Sequence, residues 1–350
     1  MEKRNSKKNL RNFILFIALI LITLGILFKD QSIIEILDII KNVDIKYILI
    51  AILCMIIYIV LEAINFGRTL KVFGEKSSLL KNIKYAFIGF FFSSITPAAS
   101  GGQPMQIYYM HKENLTVANS TLALLINLTS MQITTIGFGL ISVIFNHQYL
   151  RTPLIILFII GITLNMSALA LLLISIFSKK LLNGLINIFI KLLKLLRIKN
   201  IEQKRERIEK ELSKYEESAI FLKQNKKLML ITLLTSIVQF FVYYSISYFT
   251  YRALGFNDKN IFQVVSMQAL VYATVSGIPS PGAVGVSEGA YIELFRNIYP
   301  ENLIKSATLV NRGINFYLFV IIAEAIVIIN DIIINKKQSI IQDNVEKEET

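Results

Sequence analysis

Two polar stretches interrupt an otherwise apolar chain, and both carry residue types able to hold an ionic headgroup. The first, TPAASGGQPMQIYYM, contains Thr96, Ser100, Gly101, Gly102, Gln103, Gln106 and Tyr109. The second, PSPGAVGVSEGAY, contains Gly282, Gly285, Glu288 and Tyr291. A third, NRGINFY, sets Arg312 within a later apolar run. Each of the first two breaks at Gly and Pro and then restarts as a helix. Free backbone N–H groups at a restarted helix carry partial positive charge and suit a phosphate or carboxylate. Glycine lets backbone approach such a ligand closely. A charge at the centre of a membrane helix costs about 2.5–3.5 kcal/mol on insertion scales, so Arg312 calls for a partner or a cavity. Glu288 is the candidate partner. These residues are the candidate substrate-binding set, with no catalytic or metal-ligating residue among them.

Other readings stand beside this one. Gly285 and Gly289 form a GxxxG pair, which is a common helix-packing signal. Arg312 has two further options, to reach the interface or to hold Glu288 for structural reasons alone. Glu62 and Glu324 lie near the ends of their spans, where a long side chain can reach water. Asn127, Gln132 and Gln239 read as interhelical hydrogen-bonding residues. Tyr108, Tyr109, Tyr243 and Tyr244 read equally as interface anchors or as cavity lining.

The elements that position these residues are membrane spans. The 350-residue chain is 54% hydrophobic, above the roughly 45–50% of soluble domains. Apolar runs at about 12–28, 47–66, 118–145, 153–177, 228–250 and 306–330 are long enough to cross. Segments 83–96 and 261–278 each run into a Gly/Pro stretch and are too short for the ~30 Å hydrocarbon core at 1.5 Å per residue. They read as re-entrant hairpins, which the bilayer tolerates only inside protein or along a watery cavity. The expectation is an all-α polytopic membrane protein with about six full spans plus two re-entrant Gly/Pro-broken hairpins in an inverted repeat. Aligning Pro97 with Pro279 matches Gln106 to Glu288 and Tyr109 to Tyr291.

Charge placement fits that count. Most of the 37 Lys and Arg fall on one side if the N-terminus is cytoplasmic and the hairpins do not cross, which is the positive-inside pattern. Both termini are then cytoplasmic in the cell membrane. The 178–227 loop is the most basic piece. Its 181–198 segment reads as an amphipathic helix on anionic inner-leaflet lipid, and the net charge of +13 gives no reason to expect nucleic acid. The basic start followed by an apolar run has no small-residue cleavage site and reads as an uncleaved span. The tail 336–350 reads as a disordered cytoplasmic tail. The single cysteine and the two histidines give no zinc spacing, and no fingerprint for a nucleotide or other cofactor appears.

The stretches TPAASGGQPMQIYYM, PSPGAVGVSEGAY and NRGINFY resemble the transmembrane module of the lysylphosphatidylglycerol synthase/flippase family, over residues 1–335. The resemblance implies translocation of an anionic or aminoacylated phospholipid between leaflets, and through it resistance to cationic antimicrobial peptides. In two-part members a cytoplasmic acetyltransferase-like domain moves lysine from tRNA to phosphatidylglycerol. This chain departs from that pattern, because neither the 178–227 loop nor the short tail can hold such a domain. A separate lipid aminoacyl-transferase is therefore a candidate partner. The alternatives are phosphatidylglycerol lysyltransferase activity in this chain, or a non-catalytic membrane partner of such an enzyme.

Overall fold

A computed structural model describes residues 41–177 and 224–348, besides Gly184 and Ile220. The expected span at 12–28, the amphipathic segment 181–198 and most of the 178–227 loop lie outside the described residues. Among the described residues ten α-helices run in order: α1 Ile45–Val72, α2 Leu79–Ser94, α3 Gly102–Lys112, α4 Val117–Asn146, α5 Thr152–Phe177, α6 Lys226–Ala253, α7 Ile261–Val275, α8 Val286–Phe295, α9 Glu301–Arg312 and α10 Leu318–Glu348. One-turn 3₁₀ segments at Pro97–Ala99 and Pro281–Ala283 join α2 to α3 and α7 to α8. A π-helical turn, Gly313–Tyr317, joins α9 to α10.

The protein is an all-α polytopic membrane protein. Among the described residues, α1, α4, α5, α6 and the α9–α10 unit are long and apolar enough to cross a membrane. Many of their apolar residues face outward. Ile156, Ile159 and Met166 on α5, Ile144 and Phe145 on α4, and Ile321 and Ile332 on α10 are all exposed. Asn65, Gln106, Asn127, Gln239, Asn311 and Glu288 are buried. Lipid competes for apolar side chains as well as a protein core does, so polar contacts collect inside.

Side-chain and main-chain pairs fix the direction of each crossing. The Asp44 N–H donates to Ala253 O at 2.9 Å, and Asn65 Nδ2 donates to Ser236 Oγ at 3.1 Å. Helices α1 and α6 are therefore antiparallel. On one face, Glu75 Oε1 accepts from Thr116 N–H and Asn119 Nδ2, and Phe73 packs with Ile126, Ile176 and Leu228. On the other face, Leu154, Tyr251, Tyr299 and Ile304 share a cluster with Phe256.

Helices α2 and α3 form the first hairpin, which starts and ends on the Phe73 face. There Glu113 pairs with Lys84, and with Lys81 at 3.1 Å. Helices α7 and α8 form the second hairpin, which starts and ends on the Tyr251 face. There Glu293 pairs with Arg296 at 2.9 Å. Helices α2 and α3 have 16 and 11 residues, or about 24 and 16 Å at 1.5 Å per residue. Both fall short of the core thickness, as do α7 and α8. The two hairpins enter from opposite faces, and at their tips Cα atoms of Pro97–Ala99 and Pro281–Ala283 come within 8 Å of one another.

One expectation changes. Helix α10 continues to Glu348, so most of 336–350 is helical rather than a disordered tail. No Gly or Pro interrupts that stretch, and extending an existing helix avoids the cost of nucleation. Helix α3 begins at Gly102, ahead of Pro104, and α8 begins at Val286, beyond Gly282–Ala283.

Candidate functional site

The two tips share an unusual backbone. Thr96 and Ser280 precede them with extended dihedrals of −121°, 143° and −115°, 138°. Ala98 and Gly282 follow the proline at 51°, 30° and 59°, 13°. Ala99 and Ala283 then take φ of 54° and 52°. The geometric repeat therefore pairs Pro97 with Pro281, two residues later than the Pro97–Pro279 alignment. Left-handed alanines cost roughly 1–2 kcal/mol each, and such strain collects at functional sites.

Each tip uses its own side chains to satisfy its turn. Thr96 Oγ1 donates to Phe92 O at 2.6 Å and accepts from the Gly101 N–H at 2.9 Å. Glu288 Oε2 accepts from the Gly285 N–H at 2.7 Å. These amides are therefore occupied by the protein and are not open to an anion. The glycines of the first tip serve packing. A Cβ on Gly102 would lie 2.0 Å from Ser93 Oγ and 2.8 Å from Gly89 O, and one on Gly101 would lie 2.7 Å from Thr96 Cγ2. Gly285 has φ +87°. Among the described residues, no heavy atom beyond its own stretch of helix lies within 4 Å of the Cβ position of Gly289, so Gly289 makes no close helix contact.

Arg312 and Glu288 form the electrostatic centre. Arg312 Nε donates to Glu288 Oε1 at 2.8 Å, and Arg312 Nη2 donates to Gly282 O at 3.0 Å. Tyr317 Oη donates to Glu288 Oε1 at 2.9 Å. The guanidinium lies 4.2 Å from the Phe316 ring centroid. Both charged residues are buried. The π turn directly after Arg312 brings Asn315, Phe316 and Tyr317 to the same place, as π turns at functional sites often do.

A cavity of about 550 Å³ opens beside this pair. Of the sequence-derived candidates, Ser100, Gln103, Gln106, Gly282, Tyr291 and Arg312 line it. Thr96, Gly101, Gly102 and Gly285 shape the tips behind it, and Glu288 sits behind Arg312. Tyr109 turns away, its hydroxyl donating to Asp331 Oδ1 at 2.7 Å. Gln106 Nε2 donates to Tyr85 O at 3.1 Å, and its side chain also lies against Glu62.

The sequence reading missed Glu62, Asn311 and Asn315, all of which line the cavity. Ser247 Oγ donates to Asn311 Oδ1 at 3.0 Å, while Asn311 Nδ2 and Asn315 Oδ1 are buried with no hydrogen-bond partner among the described residues. Both flank Arg312 in NRGIN, a usable signal. Glu62 was placed near a span end, where depth alone gave no clue to its face. Gln132 also lines the cavity, and both amide atoms of Gln239 are buried without partners among the described residues. Neither behaves as plain interhelical glue. Tyr243 lines the cavity, Tyr244 is fully buried, and Tyr108 is exposed under Lys112 at 4.8 Å.

Residues 13–323 match the family model described as the lysylphosphatidylglycerol synthase TM region. The chain belongs to that family. It is also 25% identical over 299 residues to a UPF0104 membrane protein of Pyrococcus horikoshii, covering 82% of this chain and 88% of that one. The family match takes in both hairpins and Arg312, so the tips, the ion pair and the cavity between them all lie within the family's membrane region.

Proposed function

We propose that this protein is a lipid carrier of the flippase type. It passes the headgroup of an anionic or aminoacylated phospholipid, lysyl-phosphatidylglycerol in type, through the cavity while the acyl chains stay in the bilayer. The reading rests on one observation: two hairpin tips from opposite faces meet at a polar cavity that carries a buried Arg312. Unsatisfied buried polar groups cost about 1–3 kcal/mol each, and a headgroup offers partners to Asn311 Nδ2 and Asn315 Oδ1. Arg312 supplies the positive charge for phosphate, and Glu288 holds the guanidinium in place.

On this reading the Phe73 face is cytoplasmic, both termini are cytoplasmic, and the membrane is the cell membrane. Segment 181–198 lies on anionic inner-leaflet lipid, and a separate aminoacyl-transferase supplies the substrate. Moving aminoacylated lipid outward lowers surface negative charge and blunts cationic antimicrobial peptides.

The test is reconstitution in vesicles containing fluorescently tagged phosphatidylglycerol, read by the fraction that an external quencher reaches. The wild type raises that fraction, and Arg312→Ala and Glu288→Gln each slow it at least about tenfold, the scale of one lost charge-assisted contact. Equal rates in wild type and both variants would remove the carrier reading. Lysylated lipid appearing in a host without the pathway, on expression of this chain alone, would assign it lysyltransferase activity instead.

A further inference from the structure

The cavity wall carries two charged side chains among the described residues, Arg312 and Glu62. They differ in their surroundings. Arg312 is paired through Nε with Glu288 at 2.8 Å. Glu62 has no cationic partner among the described residues, and its neighbour there is the neutral Gln106. An uncompensated carboxylate at membrane depth is costly. A cation brought in by the cavity's occupant offsets that cost.

Aromatic rings stand on the same wall. Tyr58, one turn before Glu62 on α1, lines the cavity with Phe240, Tyr243 and Tyr272. Tyr58 and Tyr243 have ring centroids 4.8 Å apart, Tyr58 and Phe240 5.9 Å, Phe240 and Tyr272 5.5 Å, and Tyr243 and Tyr272 5.6 Å. The four rings come from three helices, α1, α6 and α7. The negative face of an aromatic ring attracts a cation, and several rings beside a carboxylate make a common ammonium cage.

We infer that Glu62, with Tyr58, Phe240, Tyr243 and Tyr272, forms a subsite for the ammonium group of a lipid headgroup whose phosphate sits at Arg312. The inference rests on the carrier reading and deepens it, since it makes the substrate zwitterionic or aminoacylated rather than simply anionic. Glu62, rather than Glu288, is then the carboxylate that meets the cation. Glu288 accepts from Arg312, Tyr317 and the Gly285 N–H, so its oxygens are already engaged.

The experiment is calorimetric titration of the purified full chain with dihexanoyl-phosphatidylethanolamine and with its N-acetylated form, which keeps the phosphate and loses the positive charge. In the wild type, acetylation weakens binding about tenfold, within the range of a desolvated cation–aromatic contact. In Glu62→Gln the two lipids bind within about twofold of each other, close to the wild-type affinity for the acetylated form. Tyr58→Leu gives the same loss of discrimination, and it carries the test if Glu62→Gln does not elute as a single species. Tyr243→Phe keeps the discrimination, because the ring remains. Equal binding of the two lipids by the wild type, or discrimination that survives in both Glu62→Gln and Tyr58→Leu, overturns the subsite and leaves the carrier reading standing. Failure of both lipids to bind the wild type removes the carrier reading with it. Displacement of the lipid by ethylammonium chloride alone, at the same concentration, assigns the cage to free cations and overturns the headgroup assignment.

Discussion

Gly282 lies against the ring of Phe316 so closely that a Cβ would stand 2.2 Å from Phe316 Cζ. Its carbonyl oxygen meanwhile accepts from Arg312 Nη2 at 3.0 Å. One residue of the second hairpin tip is thus held by two residues of the α9–α10 unit, and its φ of +59° is one that glycine adopts freely. Gly282→Ala meets both the ring and the backbone strain. The expected result is loss of lipid transfer together with a lower melting temperature in detergent. Phe316→Leu in the same chain makes room for the methyl group and restores part of the stability.

Removing one member of a buried ion pair strands the other. Arg312→Met leaves the Glu288 carboxylate buried, and the expected cost is about 3–5 kcal/mol. The double variant Arg312→Met, Glu288→Leu strands no charge. It should melt above the single Arg312→Met variant. Reading the wild type, Arg312→Met, Glu288→Leu and the double variant by thermal melting gives the coupling, and strictly additive losses would contradict a paired role.

Two glycines in the hairpins separate packing from propensity. Gly102→Ala drives a methyl group into Ser93 and the Gly89 carbonyl, so the α2–α3 hairpin must open and the protein should lose stability. Gly289→Ala meets nothing within 4 Å. It should be neutral or stabilise by up to about 1 kcal/mol through helix propensity. A GxxxG packing role would reverse the second outcome.

The opposite-face arrangement is open to direct labelling. In a Cys54→Ser background, Asn114→Cys lies just after the first hairpin and Asn297→Cys just after the second. A membrane-impermeant maleimide added to sealed right-side-out vesicles should label Asn297→Cys and spare Asn114→Cys, and inverted vesicles should reverse the pattern. Labelling of both from one side contradicts the arrangement.

Glu113 makes the first hairpin sensitive to acid. Burial alone would raise its carboxyl pKa. Hydrogen bonds and charge from Lys84 and Lys81 outweigh burial and hold it below the ordinary carboxylate range. A carboxyl depressed in the folded protein adds stability above its unfolded pKa, about 4.3 for Glu. That stability is lost as pH falls through the folded value. Melting temperature should drop across that acid window in the wild type and drop less in Glu113→Gln. The pair is partly exposed, so the effect stays at about 1 kcal/mol or less.

The spans were legible because a bilayer demands long apolar helices, and the expected 118–145 became Val117–Asn146. The hairpins were legible because Gly and Pro break helices that are already too short to cross. The turn register was not. PSP offers two prolines, and only the dihedrals show that Pro281 plays the part of Pro97. The buried ion pair was legible where charge met apolar sequence, at Glu288 and Arg312. The cavity wall was hidden at Glu62, because position along a span fixes depth but not which neighbour the side chain meets. The self-capping of both tips was hidden too, since Thr96 and Glu288 serve the backbone as readily as they serve a ligand.

The two turns share one backbone form, yet only the second has a buried ion pair beside it. The opposed halves therefore match in shape and differ in charge. Around its centre the molecule is close to symmetric for a neutral group and one-sided for an ionic one.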